Sequence, residues 1–413
     1  MWPSRTFRKG GRNLGPDDYP GPARVRVGMT SESLVVIGSG AAGVSAARAY
    51  REAGGRGDVR LLTADTDPPY ARPPLSKDFL RGETDDIGLE SEEFFTGQDI
   101  SVSLGDPVVE LGDHRVRTAT GQEHAFTRCV IATGAEPARP NIPGADHVDV
   151  LVLRSAKSSR ELQKAAADAR SAIVVGAGFI GCEAAVSLAR LGVQVTVVCP
   201  EDVPQEGRLG RDAGIRILRW LKAEGVSVLR GTTLESIEAG HRIRSDLVPV
   251  LDAGLVLLAT GIRPRVQLAE KAGLKIEQGR IRTDDRLRTS ADDVFAAGDV
   301  AFADNAAAGR ALAVEHWGEG LAMGTIAGRN AAGESETWAD VPGFWSEIGE
   351  RVLKYAAWGD GFDQAHLVEH DGGGFTVWYE RDGAAVGVLT HEADDDYERG
   401  EDLIRKGEPV TSR

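Results

Sequence analysis

From Leu34 onward the apolar positions fall into short unbroken runs, and each run is followed by a stretch with helical spacing. LVVIG (34–38) reads as a buried strand, AAGVSAARAYREAG (41–54) as a helix and DVRLLTA (58–64) as a second strand. A proline-rich turn and a mixed segment (85–105) lead to another buried strand, RCVIATGAEP (128–137). SAIVVGAGFIG (171–181) then restarts the pattern, which runs through VQVTVVC (193–199), the helix GRDAGIRILRWLKAEG (210–225) and the strand GLVLLATG (254–261). Beyond Val341 the period changes. Aromatics gather at Phe344, Trp345, Tyr355 and Trp358, and FTVWYE (375–380) and AAVGVLTH (384–391) alternate as antiparallel strands do, with a closing helix expected from about Asp394. The chain is therefore expected to be α/β with two doubly wound units, plus a small C-terminal α+β domain.

At 413 residues the chain exceeds one hydrophobic core, so several domains are expected. A net charge of −15 argues against nucleic acid, whose phosphates reward clustered Lys and Arg. No apolar run reaches the roughly 18 residues of a membrane helix, and a soluble cytoplasmic protein without membrane contact is expected. The three cysteines, Cys129, Cys182 and Cys199, form no CxxC pair, and the eight histidines show no metal-ligand spacing; reduced thiols and no metal are expected. Residues 1–31, rich in Gly, Pro and Arg, read as a disordered extension, or as sequence upstream of an initiator at Met29.

The chemistry begins at two glycine turns. VVIGSGAAG (35–43) sets Gly38, Gly40 and Gly43 at GxGxxG spacing between a strand and a helix, the arrangement that brings backbone N–H groups against a pyrophosphate. Asp65, past the second strand, is the acid expected on a ribose hydroxyl about 20 residues further on. VVGAGFIG (174–181) repeats the device with Gly176, Gly178 and Gly181. Two such turns in one chain imply two dinucleotides, and the economical chemistry is a hydride passed from a nicotinamide to a flavin. ATG ends a strand twice, at 132–134 and 259–261, and TSADDVFAAGDVA (289–301) places Asp299 in a Gly-Asp turn after a strand.

With that Gly-Asp turn the chain resembles the flavoprotein reductases that bind two dinucleotides. YARPPLSK (70–77), EHW (315–317) and GFWSEIG (343–349) narrow the resemblance, over about 34–405, to the FAD-dependent ferredoxin and rubredoxin reductases. The resemblance implies an FAD domain in two segments (32–150 and 266–336), an inserted NAD(P)H domain (151–265) and a C-terminal reductase domain (337–413). It implies that Gly38, Gly40, Ala42, Gly43, Asp65, Arg72, Lys77, Val108, Thr133, Gly134, Asp299 and Trp317 hold FAD. Gly176, Gly178, Ile180, Gly181, Cys199, Glu201 and Gly261 would hold NADH or NADPH. Lys77 would lie beside the flavin ring with Glu183 as its partner, to position and polarise rather than to move a proton. The bare sequence equally fits a solvated Lys77 behind Ser76 as a helix cap, and Glu183 as an ordinary first-turn acid.

The expected activity is hydride transfer from NAD(P)H to FAD, then delivery of single electrons to a [2Fe–2S] ferredoxin or rubredoxin-like acceptor, by a monomer or homodimer. Two rivals share the cofactors: an NAD(P)H oxidase or diaphorase with a small-molecule acceptor, and a redox-responsive flavoprotein resembling apoptosis-inducing factor. Disulfide reductases are excluded because no cysteine stands between Asp65 and Phe79. The chain also departs from the family. Cys199 stands where NADH-preferring members carry Glu, with Glu201, Asp202 and Arg208 nearby. Glu347 and Ile348 replace an Asp-Gln pair, while Trp317 and Trp345 are candidates to cover the flavin ring. Arg72, Arg310, Arg351 and Lys354 are candidates for a basic docking patch.

Overall fold

The computed structural model describes residues 32–410 except 240 and 249. The extension expected to be disordered, 1–31, lies outside the described residues. Two five-stranded parallel sheets carry the two glycine turns. In the first, Ser33–Ile37 is central, flanked by Asp58–Leu62 and then Ile100–Ser103 on one side, and by Arg128–Ile131 and then Val294–Ala296 on the other. In the second, Ser171–Val175 is central, between Gln194–Val198 with Ser227–Leu229 and Leu255–Leu258 with Val150–Val152. After a leading serine, Ser33 or Ser171, both central strands are apolar and buried, as parallel sheets covered on both faces require. Each glycine turn thus sits at the carboxyl edge of its sheet, where strand order reverses and ligands bind in this architecture.

The first sheet takes its last strand from beyond residue 290, so the chain leaves it and returns. The crossing is an antiparallel ribbon in which Ala135–Pro137 pairs with Ile262–Pro264. Helix Trp317–Ala331 then packs Met323, Ile326 and Ala327 into the same core as helix Ala41–Glu52.

The C-terminal sheet is antiparallel throughout, in the order Gly343–Ile348, Arg351–Ala357, Ala384–His391, Phe375–Arg381, Gln364–Glu369. Period-two alternation gives it two apolar faces. Leu353, Tyr355, Val377, Tyr379 and Leu389 join the core of the second parallel sheet. Ala356, Trp378 and Val388 face helix Asp394–Lys406, whose Tyr397 and Ile404 cover them. That helix opens on three aspartates and closes on Arg405, Lys406 and a left-handed Gly407, in accord with its dipole. Among the described residues no helix is long and apolar enough to cross a membrane, and no cluster of three or more His, Cys, Asp or Glu is placed to hold a metal.

Candidate functional site

One cleft of about 1060 Å³ runs between the two parallel sheets and ends against the C-terminal sheet. It is larger than the roughly 300–1,000 Å³ that holds an ordinary small ligand. Gly38, Gly40 and Ala42 line one part, Gly178, Ile180 and Gly181 another, and Phe344 and Trp345 close the end. Two glycine turns more than 130 residues apart in sequence thus open into the same space.

The first turn is a cradle built from missing side chains. Gly43 draws the helix onto the strand: a Cβ there would lie 1.9 Å from the Gly38 carbonyl oxygen. Gly40, the helix N-cap, has extended backbone and no side-chain cap, so the first-turn N–H groups face the cleft. The nearest group to a Cβ at Gly40 would be the Arg72 guanidinium, 3.7 Å away. Arg72 donates to the Arg154 carbonyl at 2.7 Å, and the Arg154 guanidinium pairs with the Asp299 carboxylate. Burial holds the Arg72 guanidinium below its ordinary value, and Arg154 adds to the effect. Asp65 sits at the cleft edge, accepting from the Tyr70 hydroxyl at 2.6 Å and from the Asp67 N–H at 3.2 Å. Burial pushes the Tyr70 phenol up to about 12, so it stays protonated and donates to Asp65. Val108, Thr133, Gly134 and Trp317 complete this wall, with the Thr133 hydroxyl on the Arg265 carbonyl at 2.9 Å.

The second turn follows the same plan. Gly178 caps helix Phe179–Arg190 with extended backbone and no side-chain cap, and a Cβ there would meet nothing within 4 Å. Ile180 is 39% exposed at the rim, and Gly261 lies opposite. Gly43 and Gly176 do not face the cleft; they act behind it as packing positions. Cys199 and Glu201 are not among the lining residues either. Cys199 is buried with its thiol on the Glu201 carbonyl at 3.5 Å, and Glu201 accepts from the Gly207 N–H at 2.8 Å. Arg208 and Gln205 line the cleft in their place.

Between the turns stands an ion pair. Lys77 Nζ lies 3.2 Å from Glu183 Oε2, the two side chains only 11% and 7% exposed. Lys77 is therefore not a solvated helix-end lysine. Ser76 does not cap the helix; its hydroxyl donates to Glu183 Oε2 at 2.6 Å. The far oxygen, Oε1, accepts from the Ser346 hydroxyl at 2.8 Å and the Glu347 N–H at 3.2 Å. Beside this group the His316 ring packs on Phe344 at 4.5 Å, and Phe344 meets Phe179 edge-on at 4.6 Å. Burial, helped by Arg208, pushes the His316 imidazole down to about 3, so it is neutral at working pH. Its Nδ1 is buried with no hydrogen-bond partner among the described residues.

The donor set suits two nucleotides bearing pyrophosphates. Arg72, Lys77, Arg154, Lys157, Arg208, Arg265 and Lys271 line the cleft against Asp65, Glu183, Asp299 and Glu315, a cationic balance inside a chain of net charge −15. Open helix N-termini at both turns add partial positive charge at the points of closest backbone approach.

Sequence reasoning missed Arg154, Ser76, Ser346, His316 and Phe179. EHW and GFWSEIG were the only signals for His316 and Ser346; Arg154 left none. The expected basic patch does not assemble: Arg72 is inside the cleft wall, and Arg310, Arg351 and Lys354 pair with Asp360, Glu224 and Asp394 respectively. The three free cysteines are all buried. Burial raises each thiol, Cys199 to about 11 and Cys129 and Cys182 further, so none is a ready nucleophile.

Known proteins share this architecture. The rubredoxin-NAD(+) reductase of Pseudomonas putida is 33% identical over 340 residues, spanning 78% of this chain and 86% of that protein. The rhodocoxin reductase of Rhodococcus erythropolis is 29% identical over 389 residues, 92% of this chain and 91% of that one. Among solved structures, the ferredoxin reductase for the CYP199A2 system from Rhodopseudomonas palustris superposes with a TM-score of 0.86 at 26% identity, covering 92% of this chain and 96% of that one. Residues 32–324 match the family described as pyridine nucleotide-disulphide oxidoreductase. With both glycine turns opening on one cleft and no reactive thiol in it, the chain belongs to the pyridine nucleotide-disulphide oxidoreductase family as a member without redox cysteines.

Proposed function

We propose that the protein is a flavoprotein reductase that takes hydride from NADH and hands electrons one at a time to a small iron–sulfur protein of the ferredoxin or rubredoxin kind. The carrying observation is that both glycine turns open into a single cleft with the Lys77–Glu183 pair between them. FAD bound at the first turn supplies a two-electron acceptor able to release electrons singly.

The chain's own residues do the rest. Gly38, Gly40 and Ala42 leave room for the FAD pyrophosphate, Arg72 offers it a guanidinium, and Asp65 and Asp299 offer carboxylates to hydroxyls. Gly178 and Gly181 do the same for NADH, with Arg208 alongside. Lys77 presents its ammonium where negative charge grows on hydride arrival, and Glu183 keeps that ammonium fixed and shielded from water. Trp317, Trp345 and Phe344 exclude water from the closed end. Preference for NADH over NADPH is supported by Glu201 and Asp202 in the loop after strand Gln194–Val198, whose negative charge disfavours a 2′-phosphate. The names of the relatives support the acceptor class.

Anaerobic stopped-flow mixing tests this reading. NADH should bleach the visible flavin absorbance, and oxidised rubredoxin or ferredoxin should restore it much faster than air does. Recovery faster in air than with any iron–sulfur acceptor would replace the reading with an oxidase.

A further inference from the structure

Glu183 belongs to the second parallel unit, yet its carboxylate is held by two other parts of the chain. Ser76 and Lys77 reach Oε2 from the turn Pro73–Ser76 and the residue after it. Ser346 and the Glu347 N–H reach Oε1 from strand Gly343–Ile348 of the C-terminal sheet. All four groups donate, so both oxygens are engaged, and Ser76, Glu183 and Ser346 are all buried. A glutamate carboxylate otherwise turns freely, because the terminal torsion has a broad, two-fold profile. Lys77 and Ser76 restrain that torsion from one side through Oε2, and the donors on Oε1 restrain it from the other. The C-terminal sheet supplies those donors. It fixes Ser346 by pairing it with Leu353, on the same strand face as Phe344, which closes the cleft.

We infer that Ser346 is a positioning residue: through Glu183 it fixes the Lys77 ammonium in the cleft, so the C-terminal sheet takes part in preparing the site for hydride. The kinetic half of this inference rests on the function proposed above; the geometric half does not.

Ser346→Ala in the full-length, FAD-loaded protein tests it with two readouts. The first is the rate at which an amine-reactive label modifies Lys77, followed by peptide mass spectrometry, with Lys354 in the same C-terminal sheet as internal control. The second is anaerobic flavin reduction by NADH. Labelling of Lys77 should rise severalfold while Lys354 stays at its wild-type rate. The limiting reduction rate should fall about tenfold at unchanged NADH affinity, as expected when one charge-assisted hydrogen bond is lost. Wild-type values for Lys77 labelling and reduction in a folded, flavin-replete variant would overturn the inference. So would equal acceleration at Lys354, which would mean a generally loosened sheet. If S346A fails to fold, Ser346→Cys keeps the volume with a weaker donor; intermediate labelling supports the inference and wild-type labelling overturns it. Failure of NADH to reduce the wild-type flavin would sink the proposed function instead, and Lys77 labelling would still decide the role of Ser346.

Discussion

Gly178→Ala separates folding from nucleotide binding at the second turn. Gly178 has φ −67° and ψ 175°, a backbone that alanine adopts without strain. Replacing glycine at a compatible position stabilises by about 0.4–1 kcal/mol through the unfolded chain. Alanine is a worse N-cap than glycine by roughly the same amount, so net stability should change by less than about 0.5 kcal/mol. A Cβ would meet no protein atom within 4 Å, because it points into the cleft above the first turn of helix Phe179–Arg190. A pyrophosphate oxygen must come within about 3 Å of those N–H groups. A methyl group in that gap weakens one or two charge-assisted hydrogen bonds worth about 1.5–3 kcal/mol each. NADH affinity should therefore fall roughly 10–100-fold, at about 1.4 kcal/mol per decade. Gly176→Ala is the control: φ is +106° and the Cβ would lie 2.4 Å from the Ala259 carbonyl oxygen, so that variant should lose stability first. Calorimetric melting and titration with NADH under anaerobic conditions read the two effects separately. Wild-type affinity in G178A, or melting of G178A as low as that of G176A, would refute the placement of the nucleotide at this turn.

Other consequences can be checked more briefly. Lys77→Ala should retain FAD yet slow flavin reduction by NADH roughly 100–1,000-fold, the usual effect of removing one preorganised donor; unchanged stopped-flow rates would remove the lysine from the mechanism. Glu319 is buried with its carboxylate on the Trp338 indole N–H at 3.0 Å. Burial, reinforced by Asp340 and Glu401, pushes it from the ordinary 4.5 up to about 7 despite opposing hydrogen bonds from Trp338 and Gly343. Folding therefore takes up a proton between those values: this contribution is fully present below about pH 4.5 and is lost as pH rises through about 7, by at most roughly 3 kcal/mol. Glu319→Gln should flatten the decline of Tm from about pH 5 to pH 8, measured by calorimetry, and an unchanged slope would assign the pH dependence elsewhere. A thiol reagent should find no reactive cysteine in the native protein and all three after denaturation, since Cys129, Cys182 and Cys199 are buried.

The glycine turns, the strands that precede them and the antiparallel character of the C-terminal sheet were legible because each is written in a local pattern. Strand Ser33–Ile37, helix Ala41–Glu52 and the closing helix at Asp394 fall where apolar period and turn residues place them. Side-chain partners were not legible in the same way. Arg154 and Asp299 are 145 residues apart and Ser346 and Glu183 are 163 apart, so no window along the chain contains both members of either pair. Arg154 looks like any helix-flanking arginine until the return of the chain at Val294–Ala296 sets Asp299 opposite it. Cys199 misled for a related reason. Its register at the end of a strand points to the ribose, but the loop beyond closes over it, with Thr232 donating to the Cys199 carbonyl at 2.9 Å, and the thiol ends up buried.

Electrostatics explain why a docking face was expected in the wrong place. Composition reports only a sum, and the sum of −15 hides an inversion between cleft and surface. Outside the cleft the cations proposed for docking are each matched by a carboxylate across elements: Arg310 by Asp360, Arg351 by Glu224 and Lys354 by Asp394. Such exposed pairs contribute little stability and leave little net field to steer an acidic partner. The uncompensated positive charge lies in the cleft, where low-dielectric walls strengthen its hold on pyrophosphate and where bound nucleotides would neutralise it. Those three pairs therefore offer an acidic acceptor no uncompensated cation of their own.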